Sequence, residues 1–189
     1  MVVVELPETV RLIDGSAFSD CSKLTTVNLN DNITVINSSA FRNCSSLVLN
    51  ELPKNLIALG VAAFQSAGPD VHISTLPENL KEVKAYAFSN CANVKISHFG
   101  GTGELSLTEI GAQAFENAGN GNWGVDITSI LFDASVTTIQ KNAFNNYAKN
   151  TLNEVLFAIY ADGKPNYNIT PYDMGFVNPN VNIGQFKNV

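Results

Sequence analysis

In VRLIDGSAF (Val10–Phe18) apolar residues are spaced by three and then by five, and the same spacing returns five more times along the chain. Each instance ends in an alanine–phenylalanine pair, which sets anchors at Phe18, Phe41, Phe64, Phe88, Phe115 and Phe144, separated by 23, 23, 24, 27 and 29 residues. Five residues before each Phe stand Ile13, Ile36, Leu59, Val83, Ile110 and Ile139, and eight before stand Val10, Ile33, Leu56, Leu80, Leu107 and Val136. Twelve before stand Leu6, Leu29, Leu52 and Leu76, then Gly103 and Phe132, where the longer repeats shift the register. Self-similarity at this period marks a solenoid built from one stacked unit.

Between anchors the period changes. LTTVNLN (Leu24–Asn30) alternates, with Val27 and Leu29 to one side and Thr26 and Asn28 to the other, as in a half-buried strand. VHISTL (Val71–Leu76) and VKISHF (Val94–Phe99) begin the same way, and LNEVLFAIY (Leu152–Tyr160) also reads as a strand. Leu-Pro or Leu-Asn then turns the chain, since proline stops ladder pairing. The segment that follows predicts a short irregular return with one helical turn at Ala-Phe. Twenty-three residues are too few for a strand, a full helix and two loops, but they suffice for one flattened coil. Such a coil buries its apolar side only against its neighbours. At about 4.8 Å between strands the Phe rings would form an interior spine. Asn50 occupies the slot that Val27 fills one coil earlier, which predicts a local bulge or an inward, hydrogen-bonded side chain.

The pattern Leu-Pro-x2–3-apolar-x2-Ile-x3-Ala-Phe-x2-Cys-x2-Leu resembles the BspA-like class of leucine-rich repeats. LPETVRLIDGSAFSDCSKL (Leu6–Leu24) matches nearly throughout, and Leu29–Leu47 and Leu76–Cys91 match well. The repeat from Leu52 has Ala67 for Cys and Asp70 for the next Leu, and the last two repeats carry insertions with Ala118 and Tyr147 at the Cys position. The resemblance covers about residues 2–147 and implies an α/β solenoid, mostly β and irregular. It would be a right-handed superhelix of about six to seven coils with a parallel sheet on its concave face. It further implies a surface-exposed or secreted protein of host-associated bacteria or some protozoan parasites, with adhesion to host proteins or other cells as the activity.

Residues 1–160 are read as the array. Residues 161–189, rich in Asn, Pro and Gly, form either a degenerate last coil anchored by Ile169 and Phe176 or an irregular cap, the cap being preferred. MVVVEL reads as a strand already in mid-coil, for which the simplest expectation is one piece of a longer surface protein, with self-association through the uncapped Val-rich edge as the runner-up.

Composition narrows the function classes. Charged residues make up 15%, below the usual quarter, and the net charge is −6, so no basic footprint for nucleic acid exists. No apolar run approaches the eighteen residues of a membrane span. Asn occurs 24 times, which suits a chain that turns often, because Asn tolerates turn conformations. Cys21, Cys44 and Cys91 share one motif position with Ala67 and Ala118, as buried thiols would. The sequons at Asn32, Asn37, Asn43 and Asn168 arise freely in so Asn- and Ser-rich a chain.

No catalytic constellation is visible: His72 and His98 are the only histidines, and GGTGELS (Gly100–Ser106) lacks the Lys-Ser/Thr of a P-loop. It reads as an insertion, as does GNGNW (Gly119–Trp123). If both histidines point outward on adjacent strands they would lie roughly 5 Å apart, though two ligands make an incomplete metal site. The expectation is therefore a non-enzymatic protein without cofactor or metal. By alternation the outward strand residues are Thr26, Asn28, Glu51, His72, Ser74, Lys95 and Ser97, joined further along by Asp126 and Thr128. This face would hold a protein or glycan of a host or neighbouring cell, with neither nucleic-acid binding nor membrane insertion. The alternative is a spacer within a larger surface protein, with no ligand of its own.

Overall fold

The computed structural model describes residues 1–100, 107–159, 173–176 and 181–187. It is a parallel-sheet solenoid with no helix among the described residues, and hence none long and apolar enough to cross a membrane. Two faces carry the backbone ladders. The first is the expected strand face: β1 (Val2–Val4) pairs with β3 (Leu24–Val27), single bridges follow at Leu49–Val71 and Ile73–Val94, and β7 (His98–Phe99), β9 (Ser129–Phe132), β11 (Glu154–Ile159) and β12 (Asn182–Lys187) complete it.

The return is more regular than the sequence suggested. It forms a continuous six-stranded parallel sheet from β2 (Leu12–Ile13), β4 (Val35–Ile36), β5 (Ala58–Leu59), β6 (Glu82–Val83), β8 (Glu109–Ile110) and β10 (Thr138–Ile139). In each two-residue strand the second side chain, five before the Phe, is buried.

No helical turn forms at Ala-Phe. Thirteen described non-glycine residues have positive φ, and twelve of them stand two before or two after an anchor Phe, among them Ser39 and Asn43 around Phe41. This alternation of left-handed and ordinary residues turns the corner and sorts its N–H groups. Ser39, Phe41 and Asn43 donate to Val61, Ala63 and Gln65 of the next coil, while Ala40, Arg42 and Cys44 donate to carbonyls three residues back in their own. All six N–H groups of this corner are thus satisfied, as buried backbone requires. Four of the six positions two after the Phe are Asn (43, 90, 117, 146), a residue that tolerates the left-handed region. Their side chains chain together: Asn43 donates to Asp20, Asn117 to Asn90 and Asn146 to Asn117, at 2.8–3.0 Å.

Inside, the Phe rings stack as expected, with Phe18, Phe41, Phe64, Phe88, Phe115, Phe144 and Phe176 in sequence at centroid distances of 5.1–5.6 Å. Phe176 thus continues the column past Phe144, and Asn142 and Phe144 donate backbone bonds to Asp173 and Met174 as earlier corners do to theirs. Ile169 lies outside the described residues. A second column, Phe99–Phe132–Phe157, runs beside the first and meets Phe115 and Phe144 edge-on.

The pairing corrects two register readings. Phe99 pairs with Phe132, so Phe99 and not Gly103 is the counterpart of Leu76, and the extra residues follow it; 101–106 lie outside the described residues. Asn50 is exposed without a bulge of its own. The coil above has an extra residue in β3, where the register shifts at Val2–Val3, so Leu49 takes the inward slot of Val27 and Asn50 turns out.

Candidate functional site

The insertion Gly119–Trp123 crosses the strand face. Gly121 N–H donates to the Ala92 carbonyl, and Trp123 N–H donates to Asn93 Oδ1, while Asn93 Nδ2 reaches back to the Pro69 carbonyl. Gly121 sits so close to Asn93 that a β-carbon there would fall 1.9 Å from Oδ1, so only glycine permits this tie. The loop then lays the Trp123 indole flat on the His72 imidazole, with centroids 4.4 Å apart and planes 2° from parallel.

Because the chain leaves the ladder to form this loop, Ile96 loses its strand partner. Tyr147 replaces it: its hydroxyl donates to the Ile96 carbonyl at 2.6 Å and accepts from the Ile96 N–H. Gly119, at φ +72°, leaves the room the Tyr147 ring needs. Burial pushes the Tyr147 hydroxyl far above its ordinary pKa, the bond to Ile96 only partly opposing it. So the substitution of Cys by Tyr at this motif position belongs with the insertion one coil earlier.

Under the loop lies a pocket of about 410 Å³ lined by Ser74, Lys95, Ser97, Trp123–Thr128 and Ser129. Ser74, Lys95, Ser97, Asp126 and Thr128, five of the residues read as outward from alternation, are brought together here. Lys95 does leave the core side of its strand, but the loop covers it to 3% exposure, and its ammonium pairs with Asp126 at 3.1 Å. Asp126 Oδ1 accepts one bond from that ammonium, and its carboxylate remains mostly in solvent.

The other residues lie apart. His72 forms the floor beneath Trp123. Thr26 and Glu51 are exposed on earlier coils, away from the pocket. The Asn28 side chain is turned to the Leu6 backbone, bonding both its N–H and its carbonyl, and so ties two coils together. His98 does not sit beside His72. The bridge sets Val94 opposite Ile73, and His98 pairs in register with Leu131 and contacts Asp133 at 2.8 Å. Among the described residues no group of three or more His, Cys, Asp or Glu is placed to hold a metal.

Cys44 and Cys91 are buried as expected, and Cys21 is exposed. The buried thiols are not merely space-filling. Cys44 donates to the Phe18 carbonyl at 3.0 Å and Cys91 to the Phe64 carbonyl at 2.9 Å, each joining its corner to the coil before.

What sequence reasoning missed was the contribution of Trp123 and Val125, which wall the pocket. The signal was an insertion holding the only Trp of the chain.

Comparison with known proteins gives two findings. The family model described as "BspA type Leucine rich repeat region (6 copies)" matches residues 1–122 and 62–158. A solved leucine-rich repeat protein from Bacteroides ovatus is similar at 19% identity and a TM-score of 0.35, with 97% of this chain covering 51% of that one. No curated protein matches.

Proposed function

Because the chain belongs to the BspA-type leucine-rich repeat family, we propose that it is a non-enzymatic interaction module that works outside the cell, holding a partner protein on its strand face. Repeats of this family generally mediate protein–protein interaction, are generally non-catalytic, and typically occur in bacterial surface proteins. The observation that carries the reading is the loop across the strand face. An insertion that is merely tolerated has no need of an anchoring asparagine, a stacked His72 and a tyrosine repairing the ladder behind it, yet this one has all three. Functional residues concentrate on loops held by a rigid scaffold in this way. Adhesion to a host or neighbouring cell is the role that follows for such a module.

The test is binding of the chain to a panel of immobilised extracellular-matrix and cell-surface proteins. A variant with Glu51→Ala, His72→Ala, Lys95→Ala and Asp126→Ala runs beside it, with Glu82→Ala and Thr138→Ala on the return sheet as the control. Saturable binding lost only in the strand-face variant, at unchanged melting temperature, is the expected result. Binding lost only in the return-sheet control, or absent throughout at about 10 µM and above, where affinities worth less than about 7 kcal/mol begin, overturns it in favour of a spacer.

A further inference from the structure

We propose that the pocket under the Trp123 loop binds one sugar residue of a neutral glycan. This deepens the preceding reading, since it rests on the strand face being the binding face.

The pocket's chemistry selects the ligand. At about 410 Å³ it falls in the range of small-molecule sites. At its base Lys95 is 97% buried, the complement of its 3% exposure. An ammonium has three donors, and Asp126 is the one acceptor that meets it among the described residues. Two buried donors without partners are costly, and a ligand oxygen would relieve that cost. Beside them Asp126 offers the opposite: its carboxylate, still in solvent, accepts.

A donor next to an acceptor matches vicinal hydroxyls, each of which both donates and accepts. The hydroxyls of Ser74, Ser97 and Thr128 extend the same lining. The charges of Lys95 and Asp126 cancel, so the pocket gives no advantage to an anion or a cation. Trp123 and Val125 add an apolar wall fit for the C–H face of a pyranose. Val125, at 85% exposure, stands unburied at the loop tip, and His72 holds one face of the indole rigid. A ligand with a hydroxyl-rich edge, an apolar face and no net charge is a neutral sugar.

Trp123 is the only tryptophan, so its fluorescence reports on this pocket alone. The intact chain is titrated with glucose, galactose, mannose, N-acetylglucosamine and their disaccharides up to about 10 mM, the reach of weak single-site affinities. Sialyllactose serves as the charged comparator. The expected result is a saturable change with at least one neutral sugar, weakened about tenfold or more in Lys95→Met and in Asp126→Asn. No saturable change with any neutral sugar, a stronger response to sialyllactose, or affinities that both variants leave intact overturns it. The two readings fail separately. A silent sugar titration beside strand-face-dependent protein binding removes the glycan and keeps the interaction module. Sugar binding beside a silent protein panel does the reverse.

Discussion

At the scale of single residues, the cysteines show how one motif position serves two purposes. Ala67 and Ala118 fill it with a methyl group, while Cys44 and Cys91 add a hydrogen bond to the previous Phe carbonyl. Burial raises the thiol of Cys44 to about 11 and that of Cys91 to about 12, from an ordinary value of 9.0. The folded chain therefore keeps both thiol protons, and that of the Tyr147 hydroxyl, where the unfolded chain releases them. Stability should be fully present below about pH 9 and fall as the pH rises toward 11–12. Equilibrium urea denaturation across pH 8 to 11 checks the sign, and Cys44→Ala with Cys91→Ala should lessen the decline, leaving the part due to Tyr147. With a thiol reagent at neutral pH, exposed Cys21 should react alone, the other two joining it only after denaturation. The burial of the position was legible in its Cys–Ala exchange. The exposure of Cys21 was not, because it depends on what covers the first coil.

At the scale of elements, the strand face and the return were legible to different degrees, for a physical reason. A longer strand leaves a run that can be read in the sequence, as Glu154–Ile159 does, although the extra residue in Leu24–Val27 breaks strict alternation there. Two-residue strands such as Val35–Ile36 leave one inward side chain and no period to read, so the six-stranded sheet emerges only from its parallel pairing. Anchors at both ends of a repeat likewise fix how many residues are inserted but not where, which is why Gly103 stood where Phe99 belongs. Tyr147 was visible as an exception to the motif, but its role was not, because Ile96 lies 51 residues away. Replacing it tests the repair: Tyr147→Phe removes the hydroxyl, keeps the ring, and leaves a buried N–H and carbonyl unpaired. A loss of about 1–3 kcal/mol is expected from chemical denaturation. A loss near zero would mean that Ile96 finds another partner.

At the scale of the whole molecule, the solenoid supplies rigidity and its irregularities supply the proposed site. The aromatic column from Phe18 to Phe176 and the corner ladders repeat with little variation, so nothing in them distinguishes one coil from another as a place to bind. The coils that differ are those around the Trp123 loop, where residues from three successive coils (Ser74, Lys95 and Asp126 among them) share one pocket. Alternation along each strand placed these side chains on the outer face, but their assembly depends on contacts between coils that no single repeat encodes. The most direct measurement is hydrogen exchange by mass spectrometry on the chain, free and saturated with whichever panel protein or sugar it binds. Slowed exchange in segments 71–76, 94–99 and 121–129, with the return strands unchanged, is the result this account predicts. Slowing confined to the return strands, such as 35–36, 58–59 and 82–83, would contradict it.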